Sequence, residues 1–450
     1  MRSGRRAAAR TGAGPRGGAR PARRTLPRRG RLPAAVLALA LLAGTAGCSD
    51  GGERRPALRT DTLPAGRQLA PGVGYQEFTA QGTGGPVRAH LLRVAPDARA
   101  RLTAEHGRTL AGAQTVRDVA RRTHALAAVN ASYFDIRGGK GFAGYPGDPI
   151  GLYAEQGRVL SESRNDAAAL LLGSRDGRTT ARITAVASYG RIGAADGATR
   201  ALDGVDRVAG RLRPCGGPDG ERRVEDGRPL TRDVRSGLCE DPDEIVEFTQ
   251  EWGTTLPEDR SGDAVAAVFA ADGTVRGLRS PATGSVPRGM RVLYGIGAGA
   301  DWLRSHARPG SRVDATTILR DPDGEPVPGP VDSAVGGGAR LLKDGELALG
   351  ERELTRQDRP ARTVVGVTRD GTVLLLVLDG REPGVSTGAT LAEAGELLRS
   401  LGAVDGLNLD GGGSSTMVVD GELRNRPREA KGDPVSERQV ATVLAVLPEP

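Results

Sequence analysis

Two apolar runs flank an Asp-Gly pair in the stretch Arg362-Thr-Val-Val-Gly-Val-Thr-Arg-Asp-Gly-Thr-Val-Leu-Leu-Leu-Val-Leu-Asp379. Asp and Gly tolerate the positive φ angles that tight hairpin turns require. The stretch therefore predicts an antiparallel hairpin with its turn at Asp370 and Gly371.

The same hairpin signal recurs elsewhere in the C-terminal 115 residues. Asp344-Gly345 and Asp420-Gly421 each lie between short apolar runs. A capping box at Thr390 and Glu393 starts one amphipathic helix among these strands, and Gly402 is placed to end it. The mixture predicts an α+β fold, a mixed and largely antiparallel sheet with flanking helices.

The N-terminal half has a β, α, β order. Residues 87–94 predict a strand, Val116 and Val119 fall at helical spacing, and residues 125–129 predict a short buried strand. Residues from about 200 to 330 contain polar, turn-rich stretches and predict an inserted irregular region. We expect one folded domain over 73–450 that includes this elaboration.

The basic charge of the chain is concentrated at its N-terminus. The chain of 450 residues has 63 Lys and Arg against 55 Asp and Glu, a formal net charge of +8. Residues 1–47 contain eleven Arg and no acid, so the remainder has 52 basic against 55 acidic residues, a formal −3. The body of the protein therefore lacks the global basic field typical of a nucleic-acid partner.

The N-terminus has the pattern of an export signal. An Arg-rich segment precedes the apolar run at 32–43, and small residues precede Cys48. We predict a lipoprotein signal peptide over 1–47, lipidation of Cys48, and a flexible linker over 48–72. The protein is then expected on the outer face of the cell membrane, or secreted, by the general or the twin-arginine route.

Two further cysteines lie in the polar elaboration. Cys215 and Cys239 would pair as a disulfide in an oxidising compartment. The four histidines, at positions 90, 106, 124 and 306, lack ligand spacing, so no metal site is predicted.

The glycine-rich stretch Leu407-Asn-Leu-Asp-Gly-Gly-Gly-Ser-Ser-Thr416 follows a predicted buried strand. Asn408 and Asp410 are two apart, which places both side chains on one face of an extended segment. Successive glycines can turn backbone N–H groups toward an anion, although a flexible turn is the plainer interpretation. The ending of a nucleotide P-loop is absent, which argues against ATP.

Three other strand-to-loop junctions carry polar groups. Asn130 and Asp135 follow one buried strand, Asp379 ends another, and Gly336-Gly-Gly338 repeats the glycine-rich pattern. Each carboxylate alone is typical of a turn or cap. Four such junctions in one chain favour a site presented by rigid strands.

These segments together resemble the phosphodiester glycosidase family, the uncovering-enzyme-like domains that act on N-acetylglucosamine-1-phosphodiesters. The resemblance is carried, in order, by Val129-Asn-Ala-Ser-Tyr-Phe-Asp135, Gly336-Gly-Gly-Ala-Arg-Leu341, Arg362-Thr-Val-Val-Gly-Val367 with Val377-Leu-Asp-Gly-Arg381, Gly388-Ala-Thr-Leu-Ala-Glu393, Leu407–Met417 and Asn425-Arg-Pro427. Family members commonly have Asn-Gly-Gly-Phe-Phe where this chain has Asn-Ala-Ser-Tyr-Phe.

The resemblance implies hydrolysis of a sugar-1-phosphodiester in a cell-envelope or extracellular glycan. It implies Asp410 as nucleophile or base, Asp379 or Asp135 as a second carboxylate, and Asn130 and Asn408 as sugar-binding amides. Arg362 and the glycine loops would cradle the phosphate, through Gly337, Gly338, Gly411, Gly412, Gly413, Ser414 and Ser415. No cofactor is expected, with calcium as the alternative because these oxygen ligands suit it. The stereochemical course and the oligomeric state stay open.

Two other functions are compatible with the sequence. A non-catalytic envelope lipoprotein would use the same pocket to bind a glycan or phosphate. A basic nucleic-acid binder would show strongly salt-dependent affinity in the mature protein.

Overall fold

The computed structural model describes residues 58–60, 63–134, 136, 145, 147–164, 167–212, 222–225, 228–229, 238–258 and 262–449, with backbone only between 211 and 239. Cys48, Asp135 and Cys215 lie outside these residues. Lipidation, the disulfide with Cys239 and the role of Asp135 therefore stay predictions.

The N-terminal part of the described chain is mostly strand, with one helix, α1 (Val116–Arg122). Its strands are β1 (Arg67–Ala70), β2 (Val73–Gly82), β3 (Gly85–Val94), β4 (Ala100–His106), β5 (Gln114–Thr115), β6 (Ala127–Asn130), β7 (Tyr133–Phe134), β8 (Pro149–Ile150), β9 (Tyr153–Glu155), β10 (Arg158–Ser161), β11 (Ala167–Arg175) and β12 (Arg178–Ala194).

The middle part contains a second helix, α2 (Ala298–His306), and a 3-10 turn at Gln250–Trp252. Its strands are β13 (Thr199–Leu202), β14 (Gly204–Val205), β15 (Arg211–Leu212), β16 (Arg222–Glu225), β17 (Arg228–Pro229), β18 (Leu238–Glu240), β19 (Ile245–Phe248), β20 (Val265–Ala270), β21 (Val275–Arg279), β22 (Met290–Gly295) and β23 (Val313–Arg320).

The C-terminal part contains helices α3 (Glu351–Leu354) and α4 (Leu391–Ser400) and a 3-10 turn at Gly412–Ser414. Its strands are β24 (Ser333–Gly336), β25 (Arg340–Lys343), β26 (Glu346–Leu347), β27 (Arg362–Thr368), β28 (Val373–Leu378), β29 (Ala403–Asn408), β30 (Met417–Val419), β31 (Glu422–Leu423), β32 (Gln439–Val440) and β33 (Thr442–Pro448).

Two stacked sheets draw on both ends of the chain. The large sheet has eight strands in the order β1-β2-β3-β28-β27-β29-β25-β26, and the second has five in the order β31-β30-β6-β33-β4. An inner core between them includes Leu92, Val377 and Leu407 from the large sheet and Val129 and Leu444 from the second. Among the strand pairs of the described chain, only β14 with β19 is parallel. The α+β prediction with a largely antiparallel sheet is confirmed, with strands dominating.

Helices cover the outer faces of both sheets. On the large sheet, Leu376 and Leu378 pack against Leu397 and Leu398 of α4 in what we call the outer core. On the second sheet, Val119 of α1 packs against strand residues. The order of layers is therefore α4, large sheet, second sheet, α1.

The three predicted hairpins are present, with turns that differ in detail. Asp344 and Gly345 have φ angles of 53° and 85°, and Asp420 and Gly421 have 52° and 74°, as two-residue turns between twisted strands require. At the third hairpin, between β27 and β28, positive φ falls on Gly371, at 88°. The Gly371 N–H donates to the carbonyl of Thr368, 3.0 Å away, which makes a longer loop.

The inserted region is more ordered than its composition indicates. Strands β14, β19, β22, β20 and β21 form a sheet with α2 on one face. On its other face Phe248, Trp252 and Tyr294 pack in a core of their own. Aromatic side chains thus supply the buried area that the many charged residues cannot.

Ordered pairing also begins before residue 73. Leu58 is buried in the outer core. The backbone of Arg59 forms an antiparallel bridge with that of Gln81 in β2. Within the described part of the chain no helix is long and apolar enough to cross a bilayer.

The start of α4 gives the first prediction. The Thr390 side chain accepts from the N–H of Glu393, and the Glu393 carboxylate accepts from the N–H of Thr390. We expect Thr390→Ala to lower the free energy of unfolding by about 1 kcal/mol, because the cap leaves a buried N–H without its acceptor. Urea unfolding measures this. The exposed Thr316→Ala should change it by less than about 0.5 kcal/mol, and equal losses in both variants would contradict the role of the cap.

Candidate active site

The segment after β29 is placed by hydrogen bonds from both halves of the chain. The N–H of Leu409 donates to the carbonyl of Thr363, 2.9 Å away, and the N–H of Asp410 donates to the carbonyl of Ala131, 3.0 Å away. Asp410 therefore sits where the large sheet and the second sheet meet.

A cavity of about 510 Å³ opens beside this segment. Its wall includes strand-end residues, the start of α4 and the charged segment around α3. The lining residues are Tyr133, Ala339, Arg352, Glu353, Arg356, Asp358, Pro360, Arg362, Leu391, Asn408, Asp410, Gly411 and Gly412. The structure thus brings Asn408, Asp410, Arg362, Gly411 and Gly412 of the predicted site together.

Asp410 is partly buried, and one oxygen of its carboxyl group is shielded from solvent and unpaired within the described chain. Its Oδ1 accepts from the N–H of Gly411 at 2.9 Å, while among the described residues Oδ2 has no hydrogen-bond partner. Burial raises the pKa of Asp410 to about 6, because hydrogen bonding by Ser414 and Gly411 does not offset the loss of solvent. A carboxyl group of this kind can give or take a proton near neutral pH.

Asn408 and Tyr133 form a polar pair on the same wall. Nδ2 of Asn408 donates to Oη of Tyr133 at 2.6 Å and to the carbonyl of Leu409 at 2.8 Å. Burial raises the pKa of Tyr133, so its phenol stays protonated. Because Oη accepts from Asn408, its own proton is free to point elsewhere, and Oδ1 of Asn408 has no partner within the described chain.

Arginines form the opposite side of the cavity. Nε of Arg362 donates to the carbonyl of Ala389 at 2.9 Å, and its guanidinium lies 3.6 Å from the Asp358 carboxylate. Asp358 also pairs with Arg356, whose side chain is 62% exposed. Guanidinium groups bind phosphate through paired N–H donors. This side of the cavity therefore suits a phosphate.

The N–H groups of the glycine loop are largely used within the protein. Those of Gly411 and Gly412 donate to Asp410 Oδ1 and to the carbonyl of Ala361, at 2.9 and 2.8 Å. Those of Ser414 and Ser415 donate to carbonyls of the loop itself. The hydroxyl of Ser414 accepts from Arg438 at 3.2 Å. These four N–H groups do not form a preorganised anion cradle.

The second glycine stretch is used for close packing. The N–H of Gly337 donates to the carbonyl of Ala168, and that of Gly338 to the carbonyl of Asn408. A Cβ on Gly337 would lie 2.5 Å from the Leu407 side chain, and one on Gly338 would lie 2.8 Å from Tyr133 Oη. Both positions are therefore restricted to glycine by their neighbours.

Residues 263–447 match the family model of the phosphodiester glycosidases. Over 160 residues the chain is 32% identical to the N-acetylglucosamine-1-phosphodiester alpha-N-acetylglucosaminidase of Mus musculus. It is 29% identical to that of Homo sapiens over the same length. This part of the chain is similar to the phosphodiester glycosidases. Each of these matches covers 31% of this chain and 31% of the relative, so the chain spans about a third of their length.

Two solved structures share the fold of this chain over most of its length. A putative exported protein from Burkholderia pseudomallei is 28% identical with a TM-score of 0.69, over 81% of this chain and 74% of that one. A hypothetical protein from Synechocystis, 19% identical, has a TM-score of 0.60 over 86% of this chain and 64% of its own.

Asn130 lies behind the cavity and does not line it. The side chain is wholly buried. Nδ2 donates to the carbonyl of Asp410 at 2.7 Å, and Oδ1 accepts from Thr363 Oγ1 at 2.6 Å and from the N–H of Thr416 at 3.0 Å. Its amide is thus engaged with protein groups on both sides.

Asp379 lies on the other face of the large sheet. It follows Leu378, which faces the outer core, and contacts His90, which shares a face of β3 with the inner-core residue Leu92. The cavity opens on the α4 side, where Leu391 lines it. Burial would raise the pKa of Asp379, but His90 and the hydrogen bonds from Arg426 and Asn425 lower it overall.

The sequence interpretation missed Arg352, Glu353, Arg356 and Asp358, which form the mouth of the cavity. A charged segment that ends at Pro360, directly before β27, was the available signal. Tyr133 lies in one of the motifs that carry the resemblance, and the sequence does not indicate its hydrogen bond to Asn408. Among the described residues no group of three or more His, Cys, Asp or Glu could hold a metal ion. The prediction that no cofactor is needed stays a prediction.

The raised pKa of Asp410 gives a stability prediction. The folded state disfavours the charged carboxylate, which lowers the free energy of unfolding. This loss of stability is absent below about pH 3.8 and complete above about pH 6. Asp410→Asn should therefore raise the free energy of unfolding at pH 7.5, by up to about 3 kcal/mol, and lose this gain as the pH falls to 4.

Urea unfolding of both proteins across this pH range provides the measurement. The exposed Asp323→Asn is the matched control and should show no such pH dependence. A pH-independent effect of Asp410→Asn would contradict the raised pKa.

Proposed function

We propose that the protein hydrolyses a sugar-1-phosphodiester, with an N-acetylhexosamine-like sugar, in a cell-envelope or extracellular glycan. The observation that carries the proposal is Asp410, a carboxyl group with a pKa of about 6, in the wall of a cavity that also presents arginines. The family match and the activity named for the mouse and human relatives support it.

The buried end of the cavity suits a sugar. Oδ1 of Asn408 and Oδ2 of Asp410 are unpaired acceptors within the described chain, and Tyr133 has a phenol proton to donate. Hydroxyl and acetamido groups of a sugar offer the matching donors and acceptors. A volume of about 510 Å³ lies within the range of small-molecule sites, so a hexosamine with its phosphate can be accommodated.

The open end suits the phosphate. Arg352 and Arg356 line it together with Asp358 and Glu353, whereas Arg362 is a buried part of the cavity wall. Asp358 pairs with Arg356 and Arg362, and Glu353 lines the same cavity. An incoming phosphate can replace Asp358 as the acceptor of these charge-assisted hydrogen bonds. The group esterified to the phosphate would then point toward solvent.

The proposed reaction needs little acid assistance. A phosphate monoester is already an acidic leaving group, so the bond from the anomeric carbon to oxygen breaks with both electrons staying on phosphate. Water attacks the anomeric carbon, and its proton passes to Oδ2 of Asp410, which acts as base. The arginines stabilise the phosphate charge, and the product is free sugar and a phosphate monoester.

We also propose that the protein is exported and held at the outer face of the cell membrane through lipid on Cys48, or secreted. The export-signal pattern of residues 1–47 supports this location. The similar Burkholderia protein is titled an exported protein. A substrate in the cell envelope is consistent with that location.

The direct test measures release of free sugar from UDP-N-acetylglucosamine and from a methylphosphate diester of N-acetylglucosamine-1-phosphate. We expect turnover that requires a group with a pKa near 6 in its deprotonated form, and a loss of at least about 100-fold in Asp410→Asn. Asp323→Asn is the control and should match the wild type.

Two outcomes would overturn the proposal. Unchanged turnover in Asp410→Asn would remove Asp410 from the reaction. Absence of turnover in the folded wild type, with binding of the diester retained in Asp410→Asn, would favour a non-catalytic glycan- or phosphate-binding protein.

The role of the arginines has its own test. Arg356→Gln should raise KM for the diester about tenfold with kcat little changed, because a charged hydrogen bond to phosphate contributes about 1.5 kcal/mol in both ground and transition states. Arg399→Gln removes a comparable surface arginine, paired with Glu396, and should leave KM unchanged. Equal KM values for the three proteins would place the phosphate elsewhere.

A further inference from the structure

Two buried side-chain amides hold the loop 410–417 from opposite sides. Asn130 contacts the carbonyl of Asp410 and the N–H of Thr416, as described above. Asn425, from the segment after β31, contacts Ser415 and Met417. We propose that Asn425, oriented by Asp379, is a positioning residue that sets the conformation of this loop and so aims the Asp410 carboxyl group into the cavity. This inference rests on the proposed function.

Asn425 satisfies backbone groups on both sides of Thr416. Its Oδ1 accepts from the N–H of Met417 at 2.7 Å, and its Nδ2 donates to the carbonyl of Ser415 at 2.8 Å. The residue is only 3% exposed, so water does not substitute for these bonds. The N–H of Thr416 between them is taken by Asn130. Three consecutive residues thus depend on two amides.

Asp379 determines which end of the Asn425 amide faces the loop carbonyl. Its Oδ1 accepts from Nδ2 of Asn425 at 3.1 Å and from the N–H of Arg426 at 3.0 Å. A carboxylate accepts only, so a flipped amide would place two acceptors against each other. The orientation with Nδ2 toward Asp379 and the Ser415 carbonyl is therefore the one this pocket permits.

Asp379 is itself held rigidly. Its N–H donates to the carbonyl of Arg88 at 2.9 Å, and its carbonyl accepts from Ser386 Oγ at 2.8 Å. On the far side Nε2 of His90 lies 3.4 Å from Oδ2, and Tyr75 Oη lies 3.0 Å from Nδ1 of the same ring. Arg88 is 4.0 Å from Oδ2. The carboxylate that orients Asn425 is thus fixed at the end of β28, an interior strand of the large sheet.

The loop needs such external support because of its composition. Three successive glycines, 411–413, give its backbone many accessible conformations when unrestrained. Displacement of a reacting group by about 1 Å can lower a rate about 100-fold. Asn425 therefore affects turnover through Asp410, without touching the substrate.

The first test is Asn425→Asp, which keeps the shape and the acceptor for Met417 but places an oxygen against two acceptors. We expect kcat for the N-acetylglucosamine-1-phosphate methyl diester to fall at least thirtyfold with KM changed less than threefold. Arg426→Ala is the neighbouring control, since only its backbone N–H contacts Asp379, and it should retain the wild-type kcat.

The second test compares two substitutions of Asp379. Asp379→Asn keeps an oxygen for Asn425 and should retain kcat within tenfold, whereas Asp379→Ala removes it and should lose at least thirtyfold. A catalytic carboxylate would lose activity in both. This pair decides the inference if Asn425→Asp does not fold, as judged by circular dichroism.

A third readout is independent of activity. Hydrogen–deuterium exchange should become faster in peptides spanning 410–417 of Asn425→Asp, and stay unchanged in peptides spanning α1. An inactive wild type with this exchange change overturns the proposed function but keeps the positioning role of Asn425 in the loop. Wild-type kcat and wild-type exchange in Asn425→Asp would overturn the inference.

Discussion

The side chain of Asn130 makes the directional contact on which the site depends. The inner core between the two sheets is apolar, and such packing is attractive without fixing orientation. Asn130 ends β6 in the second sheet, accepts from Thr363 on β27 of the large sheet, and donates to the carbonyl of Asp410. Because the amide is wholly buried, any unmade bond would carry the full cost of desolvation. The position of Asp410 is therefore defined relative to both sheets at once, and to both ends of the chain.

Two aspartates follow the ends of β28 and β29, the strands on either side of β27, and their surroundings give them different electrostatic behaviour. Burial raises the pKa of each, but Asp379 accepts from two N–H donors and lies beside His90, which together lower its pKa. Asp410 has a backbone donor on Oδ1 and a free Oδ2, so burial prevails. One carboxylate is thus a permanent charge and the other can exchange a proton near neutral pH. Asp379, the permanently charged carboxylate, faces away from the cavity. It is therefore suited to holding neighbouring groups in place.

Local signals allowed the hairpins, the cap of α4 and the shared face of Asn408 and Asp410 to be predicted, because each depends on neighbours in sequence. The face on which Asp379 lies could not be predicted. β28 is apolar on both faces, so its pattern does not distinguish the inner from the outer core. The segment carrying Arg352 and Arg356 has no buried face from which its position could be predicted, since α3 buries none of its own residues. Likewise, the N–H groups of Gly337 and Gly338 are used by Ala168 and Asn408, far away in sequence.

The glycines of the two loops matter chiefly because neighbouring side chains occupy the space that a Cβ would need. A Cβ at Gly337 would meet Leu407, one at Gly338 would meet Tyr133, and one at Gly413 would come within 2.7 Å of both Arg438 and Glu429. With most loop N–H groups bonded internally, recognition of an anion falls to the arginines at the cavity mouth. Exposed guanidinium groups attract phosphate, but salt screens this attraction. They do not distinguish between the groups that are attached to the phosphate. For the proposed substrate, selectivity for the sugar would come from the end of the cavity lined by Tyr133, Asn408 and Asp410, whose polar groups would be left unpaired by a ligand that lacks matching ones.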